Sequence, residues 1–146
     1  MSAEDPLIAC PHCAAMNRVP LARLAEAPAC GRCHHPLFTG VPLALGEADF
    51  DRHALRGTLP LLVDFWAPWC GPCLQMAPHF QRAAGLLEPA IRLAKVDTEA
   101  SPGLGNRFGI RSIPTMVLLQ GGREIARQSG AMPAEAIVRW ARGQVG

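Results

Sequence analysis

The sequence has 146 residues, of which 49% are hydrophobic and 18% are charged, with a formal net charge of +2 at pH 7. This composition excludes a disordered tail, and without a basic block it gives no reason to expect a nucleic-acid partner. No apolar run approaches the roughly 18 residues that a membrane-spanning helix needs, and Met1–Pro6 lacks the basic start of a signal peptide. We therefore expect a soluble, cytoplasmic protein with neither a nucleic-acid nor a membrane partner.

The first part of the chain contains two Cys-x-x-Cys pairs, Cys10/Cys13 and Cys30/Cys33, separated by 16 residues. This spacing falls within the template of four-cysteine zinc sites. Two residues between thiolates let a tight turn present both sulfurs to one ion, and two such turns supply four tetrahedral ligands. Because four thiolates leave no open coordination position, we predict one structural zinc ion per chain.

Residues 1–40 are too short for a hydrophobic core of their own, so we expect a small zinc-ribbon-like module that the metal stabilises. Two alternatives remain open from the sequence. The four cysteines form either two local disulfides or free thiols, or one of His12, His34 and His35 replaces a cysteine as a metal ligand.

After a linker at Thr39–Pro42, alternating strand and helix patterns predict an α/β domain over residues 41–146. The predicted elements in chain order are a strand at Leu43–Leu45, a helix at Asp49–Leu55, a strand at Leu61–Trp66, a helix at Cys73–Leu87, a strand at Ile91–Val96, a short helix or turn at Pro102–Phe108, strands at Thr115–Gln120 and Arg123–Gln128 joined by Gly121-Gly122, and a helix at Pro133–Arg142. This order implies a mixed central sheet flanked by helices.

The third cysteine pair, Cys70/Cys73, lies between the apolar strand Leu61–Trp66 and a predicted helix. Free N–H groups and the helix dipole at such a position stabilise a thiolate. We therefore predict that Cys70, the more exposed thiol, attacks a substrate disulfide and that Cys73 resolves the mixed disulfide. A metal role for this pair is disfavoured, because no further cysteine pair remains to complete a site.

The segment Asp64-Phe65-Trp66-Ala67-Pro68-Trp69-Cys70-Gly71-Pro72-Cys73 closely resembles the active-site segment of the thioredoxin family. The resemblance covers residues 43–146 and includes Lys95-Val96-Asp97, the segment Phe108–Thr115, Gly121-Gly122 and Gly130-Ala131. With the cysteine-rich region ahead of it, the chain is similar to the bacterial thioredoxin 2 branch of that family. The resemblance implies a thioredoxin fold and a protein-disulfide reductase recharged by an NADPH-dependent thioredoxin reductase. The chain itself has no dinucleotide-binding fingerprint.

The resemblance also implies roles for the residues around the thiols. Asp64 is expected beneath the active site, where it moves a proton as Cys73 becomes a nucleophile; the alternative is a paired core carboxylate that affects only stability. Lys95 either keeps Asp64 ionised or extends to solvent. The implied substrate-binding residues around Cys70, with Pro114 in a cis peptide bond, are Trp69, Gly71, Pro72, Ile113, Pro114, Gly130 and Ala131.

Two other functions remain compatible with the sequence: a disulfide oxidant or isomerase, and a binding module whose zinc region docks partners under redox control. The dipeptide Gly71-Pro72 resembles that of reductases. Two departures from the family pattern are Leu74, where many members carry a basic residue, and Ser112, where glycine is common. They put the local potential and the substrate preference in doubt. We expect a monomer whose partners are thioredoxin reductase and disulfide-containing proteins.

Overall fold

The computed structural model describes residues 5–145, and its N-terminal part is built on a small two-stranded sheet. Strand β1 (Leu7–Ala9) pairs antiparallel with β2 (Met16–Arg18), and a 3₁₀ turn follows at Leu21–Arg23. The turn between β1 and β2 carries Cys10 and Cys13, and a turn after the 3₁₀ segment carries Cys30 and Cys33. We refer to residues 5–40 as the ribbon, and its architecture is the zinc-ribbon type predicted.

A second, larger sheet contains five strands. Their bounds are β3 (Leu43–Ala44), β4 (Leu61–Trp66), β5 (Arg92–Asp97), β6 (Thr115–Gln120) and β7 (Arg123–Ser129). The spatial order is β3-β5-β4-β6-β7, with β3, β5 and β4 parallel and β6 and β7 antiparallel to their neighbours. The sheet is therefore mixed, which confirms the predicted fold class.

Within the described part of the chain, three α-helices cover this sheet: α1 (Gly71–Leu87), α2 (Pro102–Arg107) and α3 (Ala134–Val145). The helix predicted at residues 49–55 is present as a short helical segment that ends in a π-helical turn at Arg52–Arg56. Helix α1 begins two residues before the predicted start, because proline fits the first turn, where its missing N–H costs no helical bond. None of the helices within residues 5–145 is long and apolar enough to cross a membrane.

The central strand β4 places its side chains alternately in two hydrophobic cores. Leu62 packs with residues of α1 and α3, whereas Val63 and Phe65 pack on the opposite face. Side chains two residues apart lie on the same face of a strand. Asp64 therefore lies on the face that α1 covers, and Trp66, two residues further on the same face, packs against the cluster that contains Cys70 and Cys73.

The ribbon packs against the domain that follows it. Its buried cluster includes Ile8, Val19 and Leu37, and Leu59 from outside the ribbon packs against them. The small apolar cluster of the ribbon is thus completed by a residue from outside it. Leu7 and Thr58 also exchange hydrogen bonds, with Leu7 N donating to Thr58 Oγ1 at 2.9 Å and Thr58 N donating to Leu7 O at 3.0 Å.

Candidate active site and metal centre

Cys70 and Cys73 form a disulfide across the first turn of α1, with their Cα atoms 5.2 Å apart. Cys70 caps the helix, and its Sγ accepts a hydrogen bond from Cys73 N at 3.2 Å. Cys70 keeps 5% of its surface exposed and Cys73 only 1%. The difference has the predicted direction, although both sulfurs are largely buried in the disulfide state. A helix N-terminus is thus aimed at the Cys70 sulfur.

The loop before β6 lies directly beside the disulfide. The Ile113–Pro114 peptide bond is cis, and Ile113 O lies 3.7 Å from Cys70 Sγ. Pro114 O accepts a hydrogen bond from Gly130 N at 2.9 Å, and Gly130 has a φ of +98°. The structure therefore brings together Cys70, Ile113, Pro114 and Gly130. Cys70 and Ile113 are 43 residues apart in the sequence.

Trp69 is the most exposed large apolar residue beside the disulfide, with 69% of its surface accessible. Its indole Nε1 donates a hydrogen bond to Glu99, a contact that the sequence did not indicate. Leu74, one turn into α1, is also half exposed. A groove of about 260 Å³ runs beside Trp69 and is lined further by Thr98, Pro102, Gly105, Asn106, Ile110, Arg111, Ser112 and Ile113. Gly71 and Pro72 are exposed next to it.

Asp64 is completely buried, and neither of its carboxylate oxygens has a hydrogen-bond partner within residues 5–145. Burial raises the pKa of Asp64 to about 7, and Lys95 opposes this shift only in part. The Lys95 ammonium lies 4.5 Å from the centre of the Trp66 ring. Lys95 thus lowers the pKa of Asp64 without cancelling the effect of burial, and no side chain within residues 5–145 forms a hydrogen bond with the carboxylate. Near neutral pH, Asp64 is able both to hold and to accept a proton.

The four ribbon cysteines converge with all their sulfurs within 4.8 Å of one another. The shortest approaches are 3.6 Å for Cys10–Cys33 and 3.6 Å for Cys13–Cys30. They join one pair with the other, so the alternative of two local disulfides does not describe this arrangement. Four convergent sulfurs fit a tetrahedral, soft-metal site.

The two cysteine turns repeat one backbone design. Ala14 N donates to Cys10 O at 3.0 Å, and His34 N donates to Cys30 O at 2.9 Å. Ala14 and His34 have φ angles of +69° and +65°, a left-handed conformation that closes each turn. Each first cysteine also accepts a backbone N–H at its sulfur, at 3.3 and 3.4 Å. The backbone of each turn therefore fixes the position of its first cysteine sulfur.

Asn17 connects the two cysteine turns, and sequence reasoning missed it. Its amide nitrogen donates to Cys30 Sγ at 3.5 Å, and its Oδ1 accepts from Gly31 N at 2.9 Å. Hydrogen bonds from the backbone of Cys33 and from Asn17 lower the pKa of Cys30 to about 5. Since the thiolate is the form that binds metal, Asn17 favours metal binding at this sulfur. A lone asparagine in a three-residue strand carries no sequence signal of this role.

The histidines near the ribbon cysteines are not part of the sulfur cluster. The His12 and His35 rings stack on each other, with centroids 3.7 Å apart. Within residues 5–145, the only group of potential metal ligands that converges is the four cysteines. The structure thus gives no support to a histidine ligand.

Comparison with known proteins assigns both parts of the chain. A family model described as thioredoxin matches residues 41–143, and one described as thioredoxin 2, N-terminal, matches residues 9–35. Thioredoxin C-3 of Corynebacterium nephridii is 46% identical over 134 residues, which cover 92% of each chain. Thioredoxin 1 of Synechococcus elongatus is 39% identical over 93 residues, 64% of this chain and 87% of its own length. The chloroplastic M-type thioredoxin of Chlamydomonas reinhardtii is 40% identical over 96 residues, 66% of this chain and 69% of its own length.

Proposed function

The chain belongs to the thioredoxin family and is a thiol–disulfide oxidoreductase; from this premise, we propose that it reduces protein disulfides with electrons supplied by an NADPH-dependent thioredoxin reductase. One observation carries the proposal. The Cys70–Cys73 disulfide closes across the N-terminus of α1, where Cys73 N donates to Cys70 Sγ. This geometry stabilises a thiolate at Cys70 once the disulfide is reduced.

In the first step, the Cys70 thiolate attacks one sulfur of a substrate disulfide. A bond forms between Cys70 Sγ and that sulfur while the substrate S–S bond breaks. The other substrate sulfur leaves as a thiolate and takes a proton from solvent. The product is a mixed disulfide between Cys70 and the substrate.

In the second step, the Cys73 thiolate attacks Cys70 Sγ and releases the second substrate thiolate, which is protonated. The substrate has then gained two electrons and two protons, and the chain holds the Cys70–Cys73 disulfide. Two electrons from NADPH, delivered by the reductase, restore both thiols. No dinucleotide-binding fingerprint occurs in the sequence, so NADPH would bind to the reductase and not to this chain.

Asp64 is proposed as the group that removes the Cys73 proton before the second step. Its support is the pKa of about 7, which burial produces, and its place on the sheet face that α1 covers. A base with a pKa near the working pH combines a useful deprotonated fraction with good proton affinity. A water molecule would carry the proton between Asp64 and the Cys73 thiol.

The surface around Cys70 is proposed to bind an extended segment of the substrate. Exposed Trp69 and Leu74 provide apolar area on one side of the disulfide, and the Ile113 backbone lies beside it. The Gly130 N–H donates to Pro114 O and so fixes the loop on the other side of the disulfide. Substrate-binding roles are therefore proposed for Trp69, Gly71, Pro72, Ile113, Pro114, Gly130 and Ala131.

The ribbon is proposed to bind one zinc ion through Cys10, Cys13, Cys30 and Cys33. Zinc bound by four thiolates has no free coordination position and supplies structural stability to the ribbon. The chain's own residues prepare the site, since backbone N–H groups and Asn17 favour thiolate at Cys30. We also propose that residues 1–40 and 41–146 are separate domains, and that the protein is a cytoplasmic monomer.

The proposal is tested by following NADPH oxidation with thioredoxin reductase, this protein and insulin as the disulfide substrate. We expect steady NADPH consumption that depends on this protein, and none with Cys70→Ser. The exposed variant Arg139→Met serves as a matched control with unchanged turnover.

Two results would contradict parts of the proposal. If the reductase gives no turnover while the chemically reduced protein still cleaves insulin, the proposed electron donor is wrong. If the reduced protein does not cleave insulin either, the direction of the reaction is wrong.

A further inference from the structure

A buried arginine joins the ribbon to the redox domain. Arg92, the first residue of β5, is only 4% exposed. Arg92 lies on the same face of β5 as Ala94 and Val96, and these two residues belong to the apolar core. A charged side chain at an apolar position of a strand is costly unless polar groups surround it.

The partners of the Arg92 guanidinium come from both ends of the metal-binding segment. One NH group donates to Ala9 O at 2.8 Å, and the other donates to Leu37 O. Ala9 immediately precedes the first cysteine ligand, and Leu37 lies four residues after the last one. The guanidinium carbon also lies 5.3 Å from the centre of the Phe38 ring. The ribbon thus supplies the acceptors for both terminal NH groups of the guanidinium, whereas the buried Nε has no hydrogen-bond partner within residues 5–145.

Glu88 is the acidic residue that most strongly attracts Arg92, but it does not replace the contacts with the ribbon carbonyls. Glu88 attracts Arg92, but its Oε1 accepts a hydrogen bond from Gly40 N at 2.9 Å. Within residues 5–145, no carboxylate forms an ion pair with Arg92. Burial lowers the pKa of Arg92 to about 10, so the side chain remains a cation at neutral pH.

We propose that Arg92 couples metal binding in the ribbon to docking of the ribbon on the redox domain, so that Arg92 determines metal affinity without being a metal ligand. The inference rests on the proposed metal site. A bound metal fixes the two cysteine turns and with them the carbonyls of Ala9 and Leu37. Arg92 then meets both acceptors already in place, which favours docking. By thermodynamic linkage, the free energy by which a bound metal favours docking equals the free energy by which docking favours metal binding.

The second point of contact between the two parts provides an independent variant. Thr58 Oγ1 accepts from Leu7 N, and Thr58 is exposed, so its replacement leaves the core intact. Thr58→Val removes this acceptor without touching Arg92 or the cysteines. If docking and metal binding are linked, both contacts contribute to metal affinity.

The first experiment measures zinc affinity of the full-length, zinc-loaded chain by competition with a chromogenic chelator. The variants are Arg92→Met, Thr58→Val and, as matched control, Arg139→Met on the exposed face of α3. Loss of a buried hydrogen-bonding group that leaves two carbonyls unpaired predicts zinc binding weaker by about tenfold in Arg92→Met. Thr58→Val is expected to change affinity in the same direction by a smaller factor, and Arg139→Met not at all.

The second experiment measures amide hydrogen exchange at Thr58, whose N–H donates to Leu7 O only when the ribbon is docked. We expect protection in the zinc-loaded wild type, and faster exchange after zinc removal or in Arg92→Met. This readout does not depend on redox activity.

The proposal is overturned if folded Arg92→Met and Thr58→Val bind zinc as tightly as the wild type. It is also overturned if zinc removal leaves Thr58 protected. A wild-type chain that holds no zinc would reject the metal site itself, and this outcome is distinguishable because no variant would then differ in metal content.

Discussion

Asp64 and Lys95 are register partners on two parallel strands, yet the lysine offsets only part of the rise in the Asp64 pKa that burial causes. Their Cα positions are paired in the register of β4 and β5. The Lys95 ammonium instead lies over the Trp66 ring, and both Asp64 oxygens lack a hydrogen-bond partner within the described residues. The carboxyl group is therefore poised to change charge near neutral pH, directly on the sheet face that carries the redox helix.

This burial predicts a pH-dependent stability. Between its unfolded pKa near 4 and its folded pKa of about 7, Asp64 holds a proton in the folded state that the unfolded chain has released. The free energy of unfolding therefore falls as pH rises through this range. Relative to Asp64→Asn, which does not titrate, we expect the wild type to lose roughly 2–4 kcal/mol between pH 4 and pH 8.

Urea unfolding of both proteins at the two pH values measures this difference. The exposed variant Glu47→Gln is the control and is expected to follow the wild type. Parallel pH dependences for the wild type and Asp64→Asn would contradict the account.

The same Asp64→Asn protein is also expected to resolve mixed disulfides at least about tenfold more slowly, because it has lost the base for Cys73.

The loop glycine beside the disulfide predicts a second effect. Gly130 has a φ of +98°, and a Cβ at this position would meet no atom within 4 Å, so only backbone strain opposes a side chain. We expect Gly130→Ala to lower the free energy of unfolding by about 1–2 kcal/mol. Gly143→Ala in α3, where alanine favours the helix, is expected to raise it by about 0.5–1 kcal/mol. Thermal unfolding of the two variants compares them; equal effects would argue against strain at Gly130.

The convergence of the four ribbon sulfurs predicts about one zinc ion per chain. Cys33→Ser is expected to lose the metal, whereas Cys70→Ser, at the redox site, is expected to keep it. Elemental analysis of protein purified under reducing conditions gives the ratio for each variant. Zinc retained in Cys33→Ser, or absent from the wild type, would show that the cluster is not a four-thiolate site.

Asn17 is expected to tune this metal site through its hydrogen bonds to Cys30 Sγ and Gly31 N. Asn17→Ala removes both contacts, and Asn17→Asp keeps the acceptor for Gly31 while placing a negative charge beside the thiolate. Loss of such outer contacts typically weakens metal binding 10–100-fold. Chelator competition is expected to show weaker binding in both variants, with the exposed ribbon variant Glu26→Ala unchanged. Wild-type affinity in Asn17→Asp would assign the effect to Gly31 alone.

Much of this fold can be predicted from the sequence, because local sequence patterns determine it. The apolar run at Leu61–Trp66 is the central strand β4, and the Cys70–Cys73 pair marks the start of α1. The four ribbon cysteines converge as their spacing predicts. These features depend on neighbouring residues or on a metal template with few geometric solutions.

The features that the sequence did not reveal depend on partners far along the chain. Arg92 is buried only because carbonyls 55 and 83 residues away meet its guanidinium. Its one local signal in the sequence is a charged residue on the strand face that apolar Ala94 and Val96 share. Similarly, whether Lys95 neutralises Asp64 depends on the Trp66 ring, which offers the ammonium another position. Side-chain choices of this kind are settled by tertiary packing.

Trapping the mixed disulfide gives a direct test of nucleophilic attack by Cys70 and resolution by Cys73. Reduced Cys73→Ser protein is mixed with a disulfide-containing substrate such as insulin, and peptide mass spectrometry locates the adduct. We predict a stable mixed disulfide on Cys70 that dithiothreitol releases. Absence of an adduct, or an adduct on the ribbon cysteines with Cys70 unmodified, would contradict the account.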